Sequence, residues 1–167
     1  MANPIASGDR LDPQAGVTYI GLLFAIAILG VGLAAAGTVW HTMSQRNKEA
    51  ELLWVGHQYR EAIKQYYHAS PGASGYPTSL NDLLKDPRQL GIRRYLRKIY
   101  VDPMTGSTDW GLVKTPDQQR ITGVYSLSEG EPIKSANFDE VDKDFEGKSS
   151  YQEWKFVFSP VAPGVSA

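Results

Sequence analysis

The strongest constraint on the fold is an uncharged stretch of 24 residues, Val17–Trp40. At about 1.5 Å of rise per residue, a helix of this length spans roughly 36 Å, which exceeds the hydrocarbon core of a bilayer, about 30 Å. Secretory signal peptides have shorter apolar cores, of about 7–15 residues. A buried helix of a soluble domain normally keeps one polar face, and this stretch has none. The sequence therefore predicts that residues 17–40 cross a membrane as a helix.

The helical pattern continues beyond the apolar stretch into residues 41–167, which we expect to form a separate domain. Apolar side chains recur at intervals of three and four residues, which is the spacing of an amphipathic helix; they are Leu52, Val55, Tyr59, Ile63 and Tyr66. The pattern predicts one helix from about Val17 to about His68, ended by the turn residues Ser70-Pro71-Gly72. Residues 1–16 are short, polar and rich in turn residues, so they are interpreted as a leader peptide.

The second half of the chain predicts a short helix and three strands. Ser79 has the side chain of an N-cap and precedes a leucine-rich turn that Pro87 closes. The strand candidates are Asp109–Val113, Ile121–Leu127 and Tyr151–Phe158, the last with alternating aromatic residues. The expected fold class is α+β, with a long N-terminal helix packed on a small antiparallel sheet. The first half of that helix is expected in the membrane, and its amphipathic second half on the sheet.

Charge and cysteine content exclude several classes of function. The 17 basic residues are balanced by 18 acidic ones, and there is no cysteine, so disulfides and thiolate metal sites are absent. A general nucleic-acid-binding protein usually carries a basic excess, so nucleic acid is not an expected partner. A local basic group is present nonetheless: Arg88, Arg93, Arg94, Arg97 and Lys98. As a functional surface it fits acidic lipid headgroups or nucleic acid. The alternative is a solvated helix face, which the neutral total favours.

No arrangement of residues in the sequence indicates catalysis, so the chain is not predicted to be an enzyme. The three histidines are scattered along the long helix, and there is no phosphate-binding glycine loop or His-Glu-x-x-His motif. An acidic stretch contains Asp139, Asp142 and Asp144, whose carboxylates are suitable ligands for calcium. The spacing does not follow the EF-hand pattern, so a solvated acidic loop is the alternative. Calcium is the one cofactor that the sequence suggests.

The N-terminal region resembles the class III signal of type IV pilins and type II secretion pseudopilins. The residues that carry the resemblance are a leader ending in Gly16, the pair Val17-Thr18 and an apolar helix that continues into a domain. Three later phrases are similar to the major, G-type pseudopilin: YPTSLNDLLKDPR (Tyr76–Arg88), YVDPMTGSTDWGLV (Tyr100–Val113) and the closing SYQEWKFVF. The resemblance covers nearly the whole chain after the leader.

The resemblance implies a function and a location. A prepilin peptidase would cleave after Gly16 and methylate the new amine of Val17. The product would be a single-pass protein of the bacterial inner membrane, with its pilin-like domain (residues 41–167) in the periplasm. It would be a structural subunit of a type II secretion pseudopilus that supports export of folded proteins. Its partners would be other copies of itself, other pseudopilins, the inner-membrane assembly platform and the peptidase.

Small residues in the apolar stretch permit close approach between membrane helices. They are Gly21, Gly30, Gly32 and Gly37, together with Ala34–Ala36. Gly21 stands where the family usually has a glutamate that pairs with the N-terminal amine of a neighbouring subunit, so a repeating subunit and a minor, tip subunit are both open. Two other functions are open as well: a minor pilin of a type IV pilus in adhesion or DNA uptake, and a membrane-anchored binding domain that does not polymerise.

Overall fold

The structure, a computed structural model, describes residues 14–69 and 75–160, and the surroundings of their side chains outside 14–18 and 32–39. Most of the predicted leader, residues 1–13, lies outside this description. The chain divides into two compact units, Met1–Met43 and Ser44–Ala167.

The longest element is helix α1, Gln14–His68, of 55 residues. Its extent agrees with the single long helix predicted from the apolar run and the amphipathic stripe. Within the described part of the chain, no helix combines the length and the apolar character that a membrane crossing requires.

The amphipathic stripe of α1 forms one side of the core of the second unit. Leu52, Val55, Tyr59, Ile63 and Tyr66 are all buried, with at most 4% of their surface exposed. The predicted stripe is therefore confirmed. Gly56 lies beside this stripe, directly under the ring of Phe156. A Cβ added at this glycine would lie 2.3 Å from a ring carbon, which shows how closely the two pack.

Three short strands form an antiparallel sheet on this side of the helix. They are β1 (Gly111–Lys114), β2 (Ile121–Tyr125) and β3 (Phe156–Val157), in the spatial order β1-β2-β3. Leu112 pairs with Val124, and Val124 pairs with Phe156 on its other side. The predictions of an α+β fold and of a small antiparallel sheet are confirmed.

The predicted third strand, Tyr151–Phe158, is wrong over most of its length. Tyr151–Glu153 is a 3₁₀ turn, and only Phe156 and Val157 pair with β2. Ser150 caps the turn by accepting a hydrogen bond from the backbone N–H of Gln152. The turn brings Tyr151 and Trp154 to the same side, where both are buried. The alternation of aromatic residues therefore reflects burial in the core, without strand pairing at Trp154.

The short helix α2, Asn81–Leu84, lies near its predicted place but begins later than the proposed cap. The N-cap position is Leu80, which makes no side-chain cap hydrogen bond, so the prediction of Ser79 as the N-cap is wrong. The Oγ of Ser79 instead accepts a hydrogen bond from the N–H of Asn81 at 3.2 Å in the turn before the helix. The carboxylate of Asp82 reaches back to accept from the N–H groups of Thr78 and Ser79. A second 3₁₀ segment, Glu140–Phe145, occupies the stretch predicted to be an acidic loop.

Aromatic side chains fill the space between this 3₁₀ segment and the sheet. Trp154 is fully buried, stacks on Phe145 at 5.6 Å between ring centroids, and meets the edge of Phe138 at 5.3 Å. Phe145 in turn contacts Phe156 of β3 at 5.1 Å. The core of the second unit is therefore closed by the segment that follows the sheet as well as by α1.

Candidate functional site

The residues predicted to be processed lie at the beginning of α1. Gly16 and Val17 have helical backbone, but their side-chain surroundings lie outside the described residues. The same holds for Gly32 and Gly37. Of the predicted packing glycines, Gly21 and Gly30 are described: a Cβ added at either would meet no atom within 4 Å. These two positions are therefore open to a partner from outside the chain.

The first section of α1, Tyr19–Val31, exposes apolar side chains all round the helix. Each large apolar residue in this section is between 48% and 72% exposed. Successive residues of a helix point about 100° apart, so Leu22, Leu23 and Phe24 cover three directions. An apolar surface of this kind marks a site of contact with protein or lipid.

The second unit carries a groove between α1 and the edge strand β3, with a volume of about 1010 Å³. Its lining includes His57, Glu61 and Lys64 of α1, Val141 and Phe145 of the 3₁₀ segment, and Val157 of β3. The charged side chains along it have both signs: Lys64 pairs with Glu61 at 3.2 Å and Lys148 with Glu153 at 3.6 Å, and Asp144 and Lys155 also line it. The groove therefore has no field of a single sign that would attract a charged ligand.

Asp142 joins the 3₁₀ segment to α1 at one end of this groove. Its carboxylate is buried, forms an ion pair with Nη1 of Arg60 at 2.7 Å and accepts a hydrogen bond from Nε2 of His57. Burial alone would raise the pKa of Asp142, but His57 and Arg60 stabilise the charged carboxylate and outweigh it, so the pKa lies below its ordinary value. The contacts of Asp142 with Arg60 and His57 therefore stabilise the folded state when the pH is above the ordinary pKa of an aspartate. This contribution to stability is lost in acid, when the carboxylate is protonated.

The predicted calcium ligands are not brought together by this arrangement. Asp142 is buried against Arg60 and His57, while Asp139 and Asp144 are exposed. Among the residues that the structure describes, no group of three or more histidine, aspartate or glutamate side chains is placed to hold a metal ion. Asp142 is the one buried carboxylate of the three predicted ligands, and the guanidinium of Arg60 already neutralises it.

Glu49 holds the stretch that precedes the 3₁₀ segment Glu140–Phe145 against α1. Its buried carboxylate accepts from the N–H groups of Ile133 at 2.6 Å and Lys134 at 3.2 Å, and from the hydroxyl of Tyr151 at 2.7 Å. Burial, with a contribution from Glu49, raises the pKa of Tyr151 to about 12. The hydroxyl is therefore a permanent donor to Glu49 at neutral pH, and the carboxylate has three partners without a cation.

Asp86 holds the basic region that follows α2 in place, as Glu49 does for the stretch before the 3₁₀ segment. It is fully buried, accepts from Nε and Nη2 of Arg88 at 2.9 Å each and from the hydroxyl of Tyr95 at 2.8 Å. The bidentate hydrogen bonds from Arg88 lower the pKa of Asp86 to about 2. Arg88 also donates to the carbonyl of Tyr66 at 2.8 Å, with its guanidinium over the Tyr66 ring. One of the predicted basic residues is therefore structural.

Asp102 anchors the turn before β1. Its carboxylate accepts from the N–H of Met104 at 2.9 Å and the hydroxyl of Thr105 at 3.1 Å, and from Ser126 just after β2 at 2.7 Å. The contact with Ser126 explains why the second strand ends at Tyr125 and does not reach the predicted Leu127. Four buried carboxylates, Glu49, Asp86, Asp102 and Asp142, thus fix the loops of the second unit.

Sequence reasoning did not identify Glu49, Asp86 and Asp102, and it considered Asp142 only as a calcium ligand, although local signals exist for some of these roles. Glu49 lies three residues before Leu52, so it extends the buried stripe of α1 by one turn. A charged residue at such a position indicates that its side chain has a partner in the core. Asp86 and Asp102 each precede a proline, a combination that favours side-chain capping of a turn. For Asp142 the sequence shows only that His57 and Arg60 share a helix face at i, i+3.

Comparisons of the chain with protein-family models, with curated proteins and with solved structures gave no significant match.

Proposed function

We propose that the chain is a pilin-like structural subunit of an inner-membrane-anchored type II secretion pseudopilus, which supports export of folded proteins. The observation that carries the proposal is the contrast within α1: apolar residues are exposed all round between Tyr19 and Val31, whereas the continuation of the helix is buried on an α+β domain. Such a surface needs lipid or other helices around it. A filament of parallel helices with domains outside supplies both.

The proposal includes a location and a set of partners. Residues 17–40 would cross the bacterial inner membrane once, and residues 41–167 would lie in the periplasm as a pilin-like domain. The partners would be further copies of the chain, other pseudopilins, the assembly platform and the prepilin peptidase. The resemblance of the leader junction and of the three later phrases to the G-type pseudopilin supports this assignment over a type IV pilus subunit. The exposed Gly21 and Gly30 support contacts between helices.

Mass spectrometry of the N-terminus of protein purified from bacterial membranes tests the proposal. We expect a terminus at Val17 carrying an N-methyl group. Gly16→Val should leave the leader attached, because in the proposed family the cut follows a glycine, and Ala15→Ser should not change processing. A native terminus at Met1 or Ala2 in the wild-type protein would contradict the proposal.

The position of the subunit within the filament depends on Gly21. A charged amine inside a membrane costs about 2.5–3.5 kcal/mol on insertion scales unless a partner meets it, and glycine offers no carboxylate. A subunit without that carboxylate fits best at the tip, where no earlier subunit depends on it. Gly21→Glu is sterically open in this chain, since a Cβ meets no atom within 4 Å. Long homopolymers of wild-type protein whose yield is unchanged in Gly21→Glu would exclude the tip position.

A further inference from the structure

Two exposed segments of the second unit carry equal and opposite charge. The basic segment, residues 85–98, has six lysines and arginines and one carboxylate, a formal charge of +5. The acidic segment, residues 129–146, has seven carboxylates and two lysines, a formal charge of −5. The rest of the chain has nine basic and ten acidic residues, so the imbalance is confined to these segments. The second unit is therefore an electrostatic dipole.

The two segments lie at opposite edges of the sheet. The basic segment leads to Tyr100, whose carbonyl accepts a hydrogen bond from Nε1 of Trp110, directly before β1, at 2.9 Å. The acidic segment ends beside β3, because Phe145 packs edge-to-face on Phe156. With the strand order β1-β2-β3, the sheet separates the two segments. Each segment therefore adjoins a different edge strand of the sheet.

Each segment has exposed apolar residues among its charges. In the basic segment Leu90 is completely exposed and Ile92 is 74% exposed. In the acidic segment Val141 is 65% exposed. An apolar centre with a charged rim is the composition of protein interfaces. The exposed charges of the basic segment are Lys85, Arg93, Arg94, Arg97 and Lys98. Those of the acidic segment are Glu129, Glu131, Asp139, Glu140, Asp144 and Glu146, together with Lys143, which pairs with Glu140 at 3.7 Å.

The buried carboxylates described above hold both segments in place. Asp86 fixes the basic segment through Arg88 and Tyr95, and the carbonyl of Leu83 accepts from the N–H groups of Tyr95 and Leu96. Glu49 and Arg60 of α1 fix the acidic segment. Segments that are already ordered lose little conformational entropy when a partner binds. The two surfaces are therefore prepared for contact.

We propose that the basic segment of one copy of this chain binds the acidic segment of a second copy. The complementary charges make a second copy the partner that fits both surfaces at once. Because the surfaces lie at opposite edges of one domain, the contact is heterologous and repeats from copy to copy, which produces an open, helical assembly or a ring. The contact rests on the filament function proposed above and gives it a second interface, between domains, besides the apolar helices.

A thiol crosslinking experiment on the full-length chain in membranes tests the contact, since the chain has no cysteine of its own. Two differently tagged copies are produced together, one with Gly91→Cys in the basic segment and the other with Ala136→Cys in the acidic segment, and joined with a flexible bismaleimide. Both positions are exposed. Charge is then reversed by Arg93→Glu with Arg94→Glu in the first copy, by Asp139→Lys with Glu140→Lys in the second, or in both.

We expect each reversal alone to lower the yield of the mixed product by about tenfold, and the two together to restore it, because opposite charges then face each other again. Lys48→Glu with Lys114→Glu, at exposed positions outside both segments, is the matched control and should have no effect. If a reversal lowers the melting temperature, Arg93→Gln with Arg94→Gln tests the same surface without introducing repulsion, and should still reduce the yield.

A crosslink between two copies with Ile28→Cys reports the helix assembly separately. If this helix crosslink persists while charge reversal leaves the mixed product unchanged, the domain contact is wrong and the filament function stands. If the helix crosslink is absent, the filament function fails. If the mixed product is unchanged but Arg93→Glu with Arg94→Glu abolishes binding to phosphatidylglycerol vesicles, the basic segment binds lipid, and the proposed contact is overturned.

Discussion

The two sections of helix α1 differ in how their apolar side chains are arranged and in whether the domain buries them. From Tyr19 to Val31 the apolar side chains face every direction and are exposed, whereas from Leu52 to Tyr66 they follow one stripe and are buried against the sheet. The second section is buried within its own unit. For the exposed first section, we propose lipid or other helices as partners. One continuous helix thus has one section whose apolar side chains are buried in its domain and one section whose apolar side chains are exposed.

The largest expected effect comes from a core residue that supports only the second section. Trp154→Ala should lower the free energy of unfolding of the second unit by about 3–5 kcal/mol, because it leaves a cavity beside Phe145. Ile28→Ala, in the exposed first section, should change it by less than about 0.5 kcal/mol. Urea unfolding in detergent, followed by near-UV circular dichroism, measures both.

Trp154→Phe is the matched control for the cavity. Among the described residues the indole Nε1 of Trp154 has no hydrogen-bond acceptor, so the smaller ring should cost less than the alanine variant. A loss below about 1 kcal/mol for Trp154→Ala would show that the aromatic cluster does not support the domain.

The next effect is a dependence on pH that belongs to the second section alone. The pKa of Asp86 is lowered to about 2 by its hydrogen bonds with Arg88, which also binds the carbonyl of Tyr66. Folding therefore favours the carboxylate. This contribution, about 2 kcal/mol, is complete above pH 4 and is lost as the pH falls through 2.

Thermal unfolding between pH 2 and pH 5 measures this effect, and Asp86→Asn should reduce the slope of stability against pH in that range. The helicity of the first section should not change over the same range, because residues 19–31 contain no carboxylate. An unchanged slope in Asp86→Asn would assign the acid sensitivity to other groups, such as Asp142.

The smallest effect compares glycines in the two sections. Gly56→Ala places a methyl group 2.3 Å from the ring of Phe156, and the resulting overpacking, about 1–3 kcal/mol, exceeds the gain in helix propensity of about 1 kcal/mol. Gly30→Ala meets no atom within 4 Å, so only the gain in propensity applies. We expect a lower melting temperature for Gly56→Ala and no decrease for Gly30→Ala. Equal effects would mean that Gly56 is not a packing position.

The sequence was sufficient to predict those parts of the fold that repeat locally. The stripe from Leu52 to Tyr66 and the segments near β1 and β2 follow helix and strand periods that burial imposes on the chain. The third strand was overextended because Trp154 is buried at the spacing of a strand while its backbone leaves a 3₁₀ turn. Alternation of buried residues does not distinguish these cases.

Contacts between distant residues could not be predicted in the same way. Glu49 meets Ile133 and Lys134, and Asp142 meets His57, across 84 or 85 residues of sequence. No local pattern encodes such a pairing, so the sequence left the acidic segment open between a calcium site and a solvated loop. The structure places Arg60 on Asp142 and leaves the remaining carboxylates exposed. We propose a basic protein segment as the partner of this exposed surface.

The most direct test of the difference between the two sections is thiol labelling of single cysteines in intact spheroplasts. Ile28→Cys lies in the first section and Glu61→Cys on the exposed face of the second. We expect a membrane-impermeant maleimide to label Glu61→Cys rapidly and Ile28→Cys only after detergent is added, because lipid and neighbouring helices cover residue 28. Labelling of both cysteines at the same rate without detergent would contradict an external partner for the first section of α1.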